Sequence, residues 1–127
     1  MESFIRLRLS TADGHYGGNL VAGARVLQLF GDAVTEVLVR HDGDEGLTRT
    51  LTADFLAPVH CGDYLEVRAR LVSAGKTSRH FECTAHKVIR LVDPNDSAAD
   101  VLAEPVLVAS AKGVAVVPAA KQRGAKK

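Results

Sequence analysis

A glycine pair, Gly17-Gly18, flanked by His15, Tyr16 and Asn19, stands just ahead of a long stretch of helix-type apolar periodicity. Where such a pair opens a helix, it presents free backbone N–H groups at the positive end of the helix dipole. That end binds an anion or polarises a carbonyl. Gly17, Gly18 and Asn19 are therefore candidate oxyanion donors for a carbonyl oxygen that becomes an enolate when its α-proton leaves. A plain loop-to-helix junction has the same spacing. His15, near the same point, can donate to a carbonyl or shuttle a proton, or it is an ordinary surface imidazole. Tyr16 reads as a packing and positioning residue with a satisfied hydroxyl.

Further along, Asp32 and Glu36 stand at i and i+4, so both carboxylates lie on one helix face. Arg25, one heptad before Asp32, falls on the same stripe. The stripe is either a solvated polar face or a carboxylate acid/base pair positioned by Arg25. In the second case mutual repulsion raises one carboxyl pKa, so that one group holds a proton. Lys76, Arg79, Lys87 and Lys112 are spread over turns and strands as surface cations or phosphate ligands. Cys61 and Cys83 show no metal-type spacing with a His or another Cys, so no metal site is expected. They read as two reduced thiols.

The elements that must hold these residues follow from periodicity. Phe4 to Leu9 alternates like a half-buried strand. Ser10 to Asn19 is a glycine-rich loop. A helix is predicted from about Asn19 to Val39, with Leu20, Gly23, Leu27, Phe30, Val34, Val37 and Leu38 on its apolar face and Gly31 on or beside it. Glycines there lower helix propensity but permit close backbone approach. His41 to Gly46 is a turn. Alternation then marks strands over Leu47 to Phe55, Tyr64 to Val72 and Ser78 to Val92. Asp93 to Asp100 is a polar loop, and Pro105 to Val117 is a last strand with Val106, Val108, Val114 and Val116 alternating. The order strand, helix, four strands with short turns implies antiparallel pairing. Five strands and one strongly apolar helix face predict an α+β fold, with the sheet curled around one central helix. Residues 1–120 form a single domain, and residues 121–127 a basic tail expected to be disordered. A sheet half covered by one helix favours a homodimer.

Composition narrows the function classes. The 127 residues carry a formal net charge of +1 and no Trp, which argues against a nucleic-acid surface built on charge or base stacking. No apolar run reaches the roughly 20 residues that span a bilayer. The charged N-terminus lacks a signal-peptide centre, so a cytoplasmic location is expected.

Several segments together carry a resemblance: Asp13 through Arg25, Leu29-Phe30-Gly31-Asp32, Thr35-Glu36, Asp42 through Leu47, Phe55-Leu56-Ala57-Pro58-Val59, Gly62-Asp63 and Thr77-Ser78-Arg79. Over roughly Ile5 to Ile89 the chain resembles the hotdog-fold ammonia lyases that act on 3-aminobutyryl-CoA and β-alanyl-CoA. The resemblance implies the hotdog fold and reversible loss of ammonia from a 3-aminoacyl-CoA. The product is a 2-enoyl-CoA, crotonyl-CoA in the 3-aminobutyryl case. It implies no prosthetic group, and the Ala-Ser-Gly triplet of the aromatic amino acid ammonia lyases is absent. The chain departs from the family's polar residue at Ala22.

On this reading the acyl-CoA binds between two subunits with its thioester oxygen at Gly17-Gly18. Glu36 or Asp32 takes the α-proton, and the other carboxylate or His15 protonates the amine. Lys76 and Arg79 meet the coenzyme phosphates. Glu36→Gln is then expected to abolish turnover. Rival readings are a hotdog acyl-CoA thioesterase, a hydratase, and a non-catalytic acyl-CoA-binding protein.

Overall fold

The computed structural model describes residues 1–126; Lys127, the last residue of the expected tail, lies outside them. The chain runs through β1 (Glu2–Arg8), β2 (Gly14–Tyr16), β3 (Leu20–Val21), α1 (Gly23–Asp42), β4 (Leu47–Phe55), β5 (Tyr64–Ala74), β6 (Ser78–Leu91) and β7 (Ala99–Val116). Five of these strands form one antiparallel sheet in the order β1-β5-β6-β7-β4, with α1 packed on it. This is the predicted hotdog arrangement.

The alternation in β5 works as read. Leu65, Val67 and Ala69 are buried, while Arg68 and Arg70 point outward. On β6, Phe81, Cys83 and Ala85 continue that inner surface, and Phe30 of α1 is fully buried in the same core. Burying a side chain of that size contributes about 1.5–3 kcal/mol.

The buried face of α1 is turned from the predicted one. Val26, Leu29 and Ala33 are buried beside Phe30, Val34, Val37 and Leu38, whereas Leu27 is only partly covered. A Cβ added at Gly31 would meet nothing within 4 Å, so that glycine serves no close approach. The helix stops at Asp42 because Gly43 adopts φ 74° and its N–H donates to the Val39 carbonyl at 2.9 Å. A left-handed glycine just past the last turn is a common helix terminator.

Three other expectations are corrected. First, β7 begins at Ala99, within the predicted loop, and pairs with β6 as far as Leu91↔Ala99. Register shifts at Ala85/His86 and Lys87/Ile89 change the phase of both strands. On β7 the buried residues therefore include Ala109, Ala111 and Ala115, with Val117 just beyond, while Val114 and Val116 are only partly covered. Second, Cys61-Gly62-Asp63 is more than a turn. The Gly62 N–H donates to the Leu9 carbonyl, and the Leu9 N–H donates to the Asp63 carbonyl. Third, the tail expected to be disordered folds back on the domain. Arg123 donates to the Val39 and Arg40 carbonyls at the helix end, and Gln122 donates to the Lys76 and Val117 carbonyls. A guanidinium there satisfies carbonyls that the last helical turn leaves open.

Candidate active site

The glycine pair does not open the helix. Gly17-Gly18-Asn19 reverses a short hairpin, in which Tyr16 pairs with Leu20 and Gly14 with Val21. Gly18 (φ 70°) and Asn19 (φ 60°) both take left-handed backbone conformations. Two successive positive φ values are what a tight hairpin reversal needs, and Gly-Asn supplies them at little steric cost. The helix starts later, at Gly23, after Ala22 in extended conformation. The oxyanion donors predicted at Gly17, Gly18 and Asn19 are therefore displaced from the helix dipole. The first amides at the positive end of α1 belong to Gly23 and Ala24.

Ala22, at the N-cap, has no side chain able to bond the first amides, so this end of α1 is uncapped. It opens on a cavity of about 530 Å³ whose lining includes Tyr16, Gly23, Val26, Phe55, Pro58 and Val108. A Cβ at Gly23 would lie 2.8 Å from the Phe55 ring, so glycine keeps that wall close to the helix. The lining is almost wholly apolar, and Tyr16 is its one titratable side chain. Free amides at the end of a long helix, beside apolar walls, are suited to stabilise a developing oxyanion.

His15 packs edge-on against Tyr16, with ring centroids 4.7 Å apart and an interplanar angle of 81°. Both residues are exposed. Their segment is tied to the helix by Asp13, whose carboxylate accepts from Arg25 Nε at 2.8 Å and from the Ser10 N–H at 2.7 Å. Burial pushes the Asp13 pKa up, but its bonds to Arg25 and Ser10 together outweigh this and leave it below the ordinary value. Arg25 thus positions the His15–Tyr16 segment. It does not pair with Asp32 or Glu36, as the spacing predicted.

Those two carboxylates do not face the cavity. At about 1.5 Å per residue, Asp32 lies about 14 Å and Glu36 about 20 Å along the axis from Gly23. Glu36 is bound by Arg40, which donates to its carboxylate oxygens at 2.6 and 2.8 Å and also to the Glu2 carbonyl. The Arg40 guanidinium holds Glu36 below its ordinary pKa. The predicted raised pKa from carboxylate repulsion is absent at Glu36. The pair ties α1 to β1, and as an exposed, solvent-screened pair it adds little to stability. Glu36→Gln therefore keeps enoyl-forming activity of the same order as the wild type, against the sequence-based expectation. A complete loss of that activity in a folded Gln variant would restore Glu36 as the base.

Arg79 is not a phosphate ligand. It is buried, and its Nε and Nη2 each donate to Asp42 at 2.8 Å while Nη1 donates to the Gly75 and Ser78 carbonyls. Asp42 is the last residue of α1, so Arg79 and its neighbour Lys76 lie at the opposite end of the helix from Gly23, about 30 Å away. Lys87, by contrast, is buried at the cavity end, 3.0 Å from Asp63 and 2.8 Å from the Pro58 carbonyl. It continues the alternation of Phe81, Cys83 and Ala85 on the inner side of β6, a position the sequence reading passes over because it carries a lysine. Cys83 is buried, which pushes its thiol pKa up to about 12 and leaves it inert near neutrality. Among the described residues no group of three or more His, Cys, Asp or Glu side chains could hold a metal ion. No described helix is long and apolar enough to cross a membrane.

Comparison with known proteins decides the family. Residues 18–91 match the thioesterase superfamily model. The chain is 51% identical over 125 residues to the 3-aminobutyryl-CoA ammonia lyase of Acetoanaerobium sticklandii, covering 97% of this chain and 99% of that one. The chain belongs to the hotdog-fold acyl-CoA ammonia lyases. The structure of β-alanyl-CoA:ammonia lyase from Clostridium propionicum superposes with a TM-score of 0.94 at 35% identity, covering 97% of this chain and 89% of that one. A hexameric hotdog-fold thioesterase of Campylobacter jejuni shares the fold at a TM-score of 0.74 and 18% identity, covering 93% of this chain and 84% of that one. Within the ammonia lyases, the uncapped helix end beside an apolar cavity is the feature of this chain suited to an acyl thioester.

Proposed function

We propose that this lyase removes ammonia reversibly from a short 3-aminoacyl-CoA, of which 3-aminobutyryl-CoA is the first candidate, and forms the 2-enoyl-CoA. The observation that carries the reading is the uncapped start of α1 at Gly23, open to an apolar cavity. A thioester oxygen placed against the Gly23 and Ala24 amides gains charge as the α-proton leaves, and those dipoles favour that charge. The thioester itself acidifies the α-proton, so the reaction requires no prosthetic group.

Proton movement falls to His15 with Tyr16 beside it. No carboxylate lines the cavity, so a carboxylate base has to come from a second subunit. A homodimer fits the surface: Tyr16, Phe55 and Leu56 are each more than half exposed around the cavity mouth, with Val106 and Leu107 partly exposed on the neighbouring strand. Apolar side chains gathered this way mark an interface. A cytoplasmic location completes the reading.

One assay tests it. Purified protein given 3-aminobutyryl-CoA should show enoyl absorbance and released ammonia with no free thiol. Thiol release without ammonia would establish a thioesterase instead. Coenzyme binding without turnover would establish a binding protein.

A further inference from the structure

The coenzyme phosphates need cations at the Gly23 end of the helix, and neither Lys76 nor Arg79 is there. Beyond the Gly17–Asn19 reversal lie two adjoining hollows of about 370 and 360 Å³, which share Asn19, Cys61, Leu91 and Pro94. Arg8 edges one, and Arg90, Lys87 and His60 line the other. Together they form one groove with a guanidinium on each part. The second hollow also touches Pro58, as the apolar cavity does, so an extended ligand can pass over Pro58 from one to the other.

The charges in the groove are incompletely matched. Among the described residues neither Arg8 nor Arg90 forms an ion pair. Arg8 has only the Tyr64 ring, 5.7 Å from its guanidinium carbon. Asp100 stands opposite Arg90 in the β6–β7 register but does not pair with it. Asp63 is already engaged by Lys87 and the His60 N–H. Lys87 spends donors on Asp63 and Pro58, and an ammonium has three, so one is left for a ligand. Two unpaired guanidiniums above a buried ammonium suit a phosphate ester, whose oxygens accept charge-assisted bonds.

We propose that this groove, with Arg8 and Arg90 as its outer ligands and Lys87 at its wall, binds the phosphate groups of the coenzyme A arm. The proposal rests on the acyl-CoA reading and supplies the phosphate ligands that Lys76 and Arg79 do not.

Calorimetric titration of the full chain with coenzyme A, and with pantetheine as the phosphate-free probe, tests the site without needing turnover. Arg90→Glu and Arg8→Glu change exposed side chains, so folding is retained. Each should lower the preference for coenzyme A over pantetheine about tenfold or more. An unchanged preference in both variants would overturn the site. Inorganic phosphate displacing coenzyme A as well as 3′,5′-ADP does would also overturn it, by showing a general phosphate site. Protein that shows the shifted preference yet releases no ammonia supports the groove and refutes the lyase reading. Ammonia release with an unshifted preference does the reverse.

Discussion

Arg79→Met lowers the stability of the domain by about 3–5 kcal/mol, read as a fall in the urea midpoint at unchanged slope. The substitution leaves Asp42, itself 4% exposed, buried with only the His41 imidazole at 3.0 Å. It also strips the Gly75 and Ser78 carbonyls of their donor at the β5–β6 turn. Because a domain of this size has only about 5–15 kcal/mol in total, the loss is a large share. The double variant Arg79→Met with Asp42→Leu removes the stranded charge and should recover much of it. Acid shows the same link in the wild type. The Arg79 bonds, outweighing burial, hold Asp42 below its ordinary 3.8, so the folded state binds that proton less readily than the unfolded one. The pair's contribution is then complete above pH 3.8 and is lost as pH falls through the depressed pKa. A single variant as stable as the wild type in urea would show that this pair does not hold the helix end to the sheet.

The readable parts of the sequence were those where one short-range rule acts alone. Period-two alternation located β5 because both its neighbours are long strands and its whole inner side meets the helix. It misplaced the inward residues of β7 because register shifts change phase without any local mark in composition. Gly17-Gly18 carried a genuine backbone signal, but positive φ serves a hairpin reversal and a loop before a helix equally well. Only the pairing of Tyr16 with Leu20 distinguishes them. The spacing of Arg25, Asp32 and Glu36 was correct as helix geometry. Their partners were not legible, since Arg25 bonds Asp13 outside the helix, while Arg40 lies within reach on the next turn and claims Glu36 first. Arg79 and Lys87 share the phase of Phe81, Cys83 and Ala85 on β6, so alternation marks both as inward, but it does not show the partner each meets. Whether a cation on a strand is a surface charge or a buried tie depends on which carboxylate the topology brings to it, Asp42 in one case and Asp63 in the other.

His15→Gln reduces the rate of ammonia elimination by about 10²–10⁴-fold, the usual contribution of a positioned acid–base group. The imidazole stands on the hairpin strand whose next residue, Tyr16, lines the cavity. Gln keeps hydrogen-bonding ability and similar bulk but cannot carry a proton at the relevant point. Because His15 is exposed, the thermal midpoint should hardly move, and the loss should appear in kcat. A variant with near-normal kcat would leave Tyr16 or the partner subunit as the proton carrier. A mixing experiment then locates the second group. Asp32 is exposed and has no ion pair among the described residues, whereas Glu36 is held by Arg40. If Asp32 serves the cavity of the other subunit, then the His15→Gln and Asp32→Asn chains, each inactive alone, regain activity when mixed. In a heterodimer both defects fall in one site and the other site is intact. With random pairing in a symmetric dimer the recovered rate is about a quarter of the wild type. No recovery on mixing, with heterodimers present, would confine the chemistry to residues of a single chain.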